Sequence, residues 1–145
     1  MPYLDTSVIG AYYCPEPLSH LIDQAYRGLR NALISPLVEL EFCSLLSLKV
    51  RTHELDRRSA HQALAKFRLH LADGLYTIIE IGSREHDIAR TWVSGFSTAL
   101  RTLDALHLAC AFVNRQPIWT SDKYLAQAAE GLGVDYQLFL LESRR

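Results

Sequence analysis

Short apolar runs alternate along the chain with longer stretches in which apolar positions recur every three or four residues. Residues 2–4 read as a first strand and residues 7–13 as a short helix ended by Pro15 and Pro17. Ser19 is the expected N-cap of a helix carrying Leu21, Ile22, Ala25 and Leu29 at helical spacing. Leu33-Ile34-Ser35 forms a second short strand, and Pro36 opens a helix running to Val50. The next helix, residues 55–72, is basic on one side (Arg57, Arg58, Lys66, Arg68) and apolar on the other (Leu64, Phe67, Leu71), with Asp73-Gly74 punctuating it. Residues 76–79 have the β-branched and aromatic make-up of a strand. Helices are expected over 83–93 and 102–114, joined by a loop at 94–97. A strand over 116–120 tolerates Pro117 near its first end, and a helix over 122–132 stops at Gly133. Residues 134–136 are left as an edge strand.

Strands separated by helical segments require crossover connections. The expected architecture is therefore α/β, a central mostly parallel sheet of four to five strands with helices on both faces. No repeat, linker or low-complexity stretch divides it, so residues 1–145 read as one domain, long enough for a real core. With 49% hydrophobic and 21% charged residues the composition is that of a globular chain rather than a disordered one. The formal net charge of -1 offers no bulk positive field, so a polyanion would have to be held locally. Cys14, Cys43 and Cys110 are odd in number and form no C-x-x-C pair, which argues against a disulfide framework or thiolate zinc site and suits a reducing cytosol. His53-Glu54 lacks the second histidine of a zinc-protease helix. Neither a signal-peptide pattern nor an apolar run of membrane-spanning length occurs, so a cytoplasmic domain with no membrane partner is expected.

Four acids stand out because each sits among apolar residues, where a carboxylate is costly to bury unless something pairs with it: Asp5, Glu41, Asp104 and Asp122. Taken singly, each has a plain explanation. Asp5 before Thr6-Ser7 caps the first helix, Asp104 is a first-turn acid, and Asp122 in Thr-Ser-Asp caps the helix that follows. Glu41 shares a helix face with Leu37, Leu45 and Leu48, whereas Glu39 lies with Phe42, Cys43 and Leu46; periodicity does not choose between the two. Jointly they say more. Asp5 follows the first strand and Asp122 the fourth, and the carboxyl ends of parallel strands are where such sheets keep their working crevice. Two carboxylates about 4 Å apart repel by roughly 4 kcal/mol at an effective dielectric of 20. Four together would take up protons or a cation, and an all-oxygen set selects Mg²⁺ or Mn²⁺. Such an ion acidifies water and stabilises a leaving alkoxide.

The segments around these acids carry a resemblance. They are Tyr-Leu-Asp5-Thr-Ser-Val-Ile, Ser35-Pro-Leu-Val-Glu-Leu-Glu41-Phe, Leu-Asp104-Ala-Leu-His-Leu-Ala-Cys-Ala, and Trp-Thr-Ser-Asp122 with a trailing Gly-Leu-Gly-Val. In this order the chain resembles PIN-domain ribonucleases end to end, most of all VapC-type toxins of bacterial toxin–antitoxin modules. The most specific piece is D-A-L-H-L-A-x-A at Asp104, followed by T-S-D. The resemblance implies that Asp5, Glu41, Asp104 and Asp122 are the catalytic acids; the hypothesis built on it is that Asp5 and Asp104 hold the principal metal, directly or through water, with Glu41 and Asp122 completing the acidic pocket. Glu41 is preferred to Glu39 because the family places its glutamate six residues after the serine closing the second strand, here Ser35. Thr120 falls on the family's hydroxyl position. The resemblance also implies Mg²⁺ or Mn²⁺ as cofactor, RNA as substrate, a homodimer and an antitoxin that blocks the site.

Thr6 and Ser7 are candidates for orienting Asp5 or meeting a phosphate, beside plain helix capping. His107, three positions after Asp104, reads better as a satisfied, partly buried histidine than as a catalytic one. The basic residues of the 55–72 helix would steer RNA or meet acidic antitoxin side chains, unless they form an ordinary solvated face. Trp119 and tyrosines 12, 13 and 26 read as core or interface. Two rival readings stand: a phosphatase- or receiver-like Mg²⁺-dependent α/β domain, for which Lys123 is a poor phosphate-holding lysine, and a PIN-like module that binds RNA or a partner without turnover.

Overall fold

The computed structural model describes residues 1–142, so the last three residues of the expected 1–145 domain lie outside the described residues. In chain order the elements are β1 (Tyr3–Leu4), α1 (Thr6–Tyr13), α2 (Ser19–Arg27), β2 (Ala32–Ile34), α3 (Pro36–Arg51), α4 (Arg57–Ala72), β3 (Tyr76–Ile78), α5 (Ser83–Ser94), α6 (Thr102–Val113), β4 (Ile118–Thr120), α7 (Lys123–Gly131) and β5 (Tyr136–Leu138). The five strands form one sheet in the order β3-β2-β1-β4-β5, and every pairing is parallel. The α/β expectation holds, with a fully parallel sheet among the described residues.

That strand order fixes where the chain reverses direction. From β1 it steps outward to β2 and β3, then returns across the sheet to β4 and steps outward the other way to β5. With the right-handed crossovers such connections adopt, α1–α4 cover one face and α5–α7 the other. The helix contacts divide accordingly: α1, α2, α3 and α4 pack among themselves, and α6 packs on α5 and α7. The reversal falls between β1 and β4, joined at Tyr3–Ile118 and Leu4–Trp119, and the crevice at such a switch point is the expected ligand position.

Burial on both faces explains why the strands are short apolar runs rather than alternating ones. Tyr3, Leu4, Ala32, Ile34 and Ile118 are essentially inaccessible. On the α1–α4 side, Tyr13, Phe42, Phe67 and Tyr76 pack as tilted or edge-on aromatic pairs with centroids 5.3–5.7 Å apart. The Tyr76 hydroxyl lies 2.7 Å from that of Tyr13 and 2.9 Å from that of Tyr26, so the polar tips within this core satisfy one another. Tyrosines 12, 13 and 26 thus belong to the core, and Trp119 packs edge-on against Phe139.

Several boundaries differ from the periodicity reading, each for a local reason. β2 ends at Ile34 because Ser35 is the residue preceding the helix that Pro36 starts. Ser19 does not cap α2. Leu18 occupies that position, and the Ser19 hydroxyl turns to the carbonyls of Ala11 and Cys14, 2.7 and 2.9 Å away, closing the end of α1. α4 starts at Arg57 because the Asp56 carboxylate accepts the Ser59 amide at 2.7 Å. The last strand is Tyr136–Leu138 and not residues 134–136. Gly133 takes a positive φ of 74°, and the Val134 amide returns to the Ala129 carbonyl, keeping Val134 in the helix cap.

Candidate active site

The carboxyl ends of β1 and β4 each deliver one acid to the switch point. Asp5 follows Leu4 and caps α1: its Oδ1 accepts the amides of Ser7 (3.0 Å) and Val8 (3.3 Å) and the Ser7 hydroxyl. Asp122 follows Thr120-Ser121 and caps α7, its Oδ1 accepting the amides of Tyr124 (2.8 Å) and Leu125 (3.4 Å). The plain capping roles are therefore real for both. They place the two carboxylates at helix N-termini, where aligned peptide dipoles favour negative charge.

Thr120 links the two. Fully buried at the end of β4, its hydroxyl donates to Asp5 Oδ2 at 2.6 Å and accepts the Asp122 amide at 2.9 Å. Ser7 adds a second link, since its Oγ also accepts the Ser121 amide at 2.9 Å. Asp5 is consequently buried and held by donors on both oxygens. Thr6 does not meet Asp5; its hydroxyl donates to Glu41 Oε1 at 2.8 Å.

Glu41 comes from α3 and also pairs with His107 Nε2, so α6 closes the arrangement. Asp104, one turn before His107, sits half-buried in the first turn of α6, within electrostatic reach of Asp122, Glu41, His107 and Arg101. Glu39 points elsewhere, its carboxylate 3.8 Å from Arg68 Nε. Thr120 and Ser7 thus tie Asp5 to the Asp122 turn, Thr6 and His107 hold Glu41, and Asp104 lies within electrostatic reach of Asp122 and Glu41.

The charge balance there is uneven. Burial raises the proton affinity of Asp5 despite its donors from Ser7, Thr120 and Val8 and the nearby His107. Burial also raises that of Asp104, and the like charges of Asp122 and Glu41 push it further up against His107 and Arg101. Burial acts in the same sense on Glu41, but the His107 hydrogen bond and charge and the Thr6 hydroxyl outweigh it, holding Glu41 below the usual carboxylate range. Two acids destabilised as anions beside two others form an all-oxygen donor set that a hard divalent cation suits. Among the described residues no group of three or more His, Cys, Asp or Glu could hold such an ion as they stand. Both Asp5 oxygens accept hydrogen bonds from the protein itself.

His107 is a satisfied, buried histidine as the sequence suggests, but its partners Tyr3 and Ser35 were not foreseen. His107 is nearly inaccessible, and besides Glu41 it meets the Tyr3 hydroxyl at Nδ1, 2.7 Å away; that hydroxyl lies 2.9 Å from Ser35 Oγ. The available signal was a histidine in an otherwise apolar helix, one turn beyond a candidate acid. Two of the basic residues of α4 have partners of their own: Arg68 faces Glu39, and Lys66 Nζ lies 5.3 Å from the centre of the Tyr12 ring. No described helix is long and apolar enough to cross a membrane.

No curated protein sequence matches the chain. Solved structures match over nearly its whole length. VapC20 of Mycobacterium tuberculosis, described as a sarcin–ricin-loop-cleaving toxin, aligns at 17% identity and a TM-score of 0.69, covering 88% of this chain and 95% of its own. FitAcB of Neisseria gonorrhoeae aligns at 17% identity and a TM-score of 0.68, covering 94% and 96%. VapBC2 of Rickettsia felis, bound to a DNA fragment from its promoter, aligns at 15% identity and a TM-score of 0.71, covering 96% and 99%. At these identities the likeness speaks for the fold. A family model for the PIN domain matches residues 3–131, which include all four acids and the sheet as far as β4. The chain belongs to the PIN domain family.

Proposed function

We propose that this chain, as one domain over residues 1–145, is a divalent-cation-dependent endoribonuclease and the toxin of a toxin–antitoxin module. The observation that carries the reading is the meeting of Asp5, Glu41, Asp104 and Asp122 at the sheet's switch point, with Asp5 and Asp104 both disfavoured as unneutralised anions. Structural likeness to proteins described as a sarcin–ricin-loop-cleaving toxin and as a toxin–antitoxin complex supports the substrate class and the partner.

In this reading Asp5 and Asp104 hold Mg²⁺ or Mn²⁺, and Glu41 and Asp122 complete the acidic pocket. Bound there, such an ion would supply positive charge for a phosphate and its leaving group and would acidify water. Thr120 and Ser7 hold the Asp5 carboxylate in one orientation while also tying it to the β4–α7 turn. Glu41 or Asp122 accepts the proton of the attacking water. The water oxygen bonds to phosphorus as the bond to the 3′-oxygen breaks, and the departing 3′-oxygen takes up a proton from solvent, leaving a 5′-phosphate and a 3′-hydroxyl. A homodimer and a proteinaceous antitoxin in the cytoplasm complete the proposal.

A metal-dependent cleavage assay on generic RNA tests it. Wild-type protein should cleave with Mg²⁺ or Mn²⁺ and not with a chelator, and D5N or D104N should abolish cleavage while keeping the fold. Retained cleavage in both variants would rule the assignment out. The rival reading is a PIN-like module that binds RNA or a partner without turnover. RNA binding by wild-type protein with no cleavage under either cation would select it.

A further inference from the structure

Under the acidic crevice runs a buried line of polar groups that the four acids do not themselves require. Both donors to Glu41, the Thr6 hydroxyl and His107 Nε2, fall on Oε1, leaving Oε2 unclaimed by either. A carboxylate only accepts, so His107 carries its proton on Nε2. Behind the ring, the Tyr3 hydroxyl bridges His107 Nδ1 and Ser35 Oγ. The line passes from the residue before α3, through β1, to α6 and back to α3, and Tyr3, Ser35 and His107 are all buried. Packing alone does not call for a histidine at this place. The other buried positions of α6 are Ala105, Leu108, Ala109, Cys110 and Ala111, and with an apolar residue at 107 Tyr3 and Ser35 would still satisfy each other. What the imidazole adds is a donor to Glu41.

We propose that His107 is a positioning residue that fixes the Glu41 carboxylate in the crevice, with Tyr3 and Ser35 setting the orientation of its ring. The proposal rests on the nuclease reading for its consequence in catalysis, but the contact can be tested without it. Outer hydrogen bonds to carboxylates of metal sites are worth about 10–100-fold in metal affinity or activity. H107L should therefore lower Mn²⁺-dependent RNA cleavage by about 10–100-fold. H107Q, which keeps a donor at the ε position, should recover much of the loss, and Y3F should fall between the two.

The experiment combines cleavage rates and melting temperatures of these variants with imidazole ¹H–¹⁵N spectra of the metal-free protein. The spectra should show a His107 Nε2–H protected from exchange, lost in E41A and retained in E39A. An unprotected or absent Nε2–H in wild-type protein, or one indifferent to E41A, would overturn the proposal. So would cleavage by H107L at the wild-type rate, or equal losses in H107L and H107Q that follow their melting temperatures. Should H107L fail to fold, H107Q, Y3F and the spectra decide alone. If wild-type protein cleaves no RNA, the nuclease reading fails while the spectra still report whether His107 holds Glu41.

Discussion

Replacing Thr120 by valine removes one oxygen and almost no volume, which makes it a clean probe of how Asp5 is held. The hydroxyl donates to Asp5 Oδ2 at 2.6 Å and accepts the Asp122 amide at 2.9 Å, in a fully buried setting. A hydrogen bond to a charged group contributes about 1.5–3 kcal/mol, and leaving the Asp122 amide without its acceptor costs about 1 kcal/mol more. Asp5 limits the damage by taking up a proton, which its burial already favours. We expect T120V to lose about 2–4 kcal/mol near neutral pH by urea denaturation, and its melting midpoint to fall by about 5–15 °C. The loss should depend on pH. Asp5 binds its proton more tightly folded than unfolded, so the folded state is favoured while the group is protonated in both states and penalised as pH rises through its folded value. Removing a donor that opposes this shift enlarges the penalty. The difference between wild type and T120V should therefore be smallest below about pH 4, the unfolded aspartate range, and grow above it. A loss under 0.5 kcal/mol at neutral pH, or one that does not change with pH, would refute this account of Asp5.

Other consequences follow from the same geometry. D104N should stabilise the metal-free protein by about 0.5–2 kcal/mol, because it removes a charge penalised by burial and by the like charges of Asp122 and Glu41, with the gain read as a higher urea midpoint near neutral pH. The gain should shrink as acid protonates wild-type Asp104, because the penalty of its raised proton affinity exists only when it is ionised. Y76F should cost about 1–3 kcal/mol by thermal melting, since it strips the hydroxyl shared by Tyr13 and Tyr26 within the aromatic core. K49M should cost about 1–3 kcal/mol in chemical denaturation. Lys49 is buried, lies 3.0 Å from Glu16 and 3.2 Å from Glu54, and leaves two carboxylates unpaired when removed. These two partners raise the Lys49 proton affinity against burial, which lowers it, so the contribution should persist at neutral pH and fade above about pH 10.

The alternation of apolar runs with helical periodicity was enough to read an α/β sheet, and Asp5 and Asp122 could be placed at strand ends because Tyr3-Leu4 and Ile118-Trp119-Thr120 are unmistakably strand-like. The strand order was not legible, because nothing local in the sequence tells β1 that its neighbours are β2 and β4. Ser19 misled because a hydroxyl preceding an apolar repeat looks the same whether it caps the next helix or closes the last one. Glu41 and Glu39 were equivalent by periodicity; the tertiary partners His107 and Arg68 separate them. The line through Tyr3, Ser35 and His107 was hidden for the same reason, its members being up to 104 residues apart.

A Mn²⁺ titration of the wild-type protein beside D5N, D104N and E39Q, followed by electron paramagnetic resonance of the free ion, puts the acidic crevice to the test. Saturable binding by wild type and E39Q, weakened at least tenfold in D5N and D104N, is the predicted result. Equal binding by all four proteins, or none by wild type, would mean that the carboxylates gathered at the end of β1 and β4 do not act together on a cation.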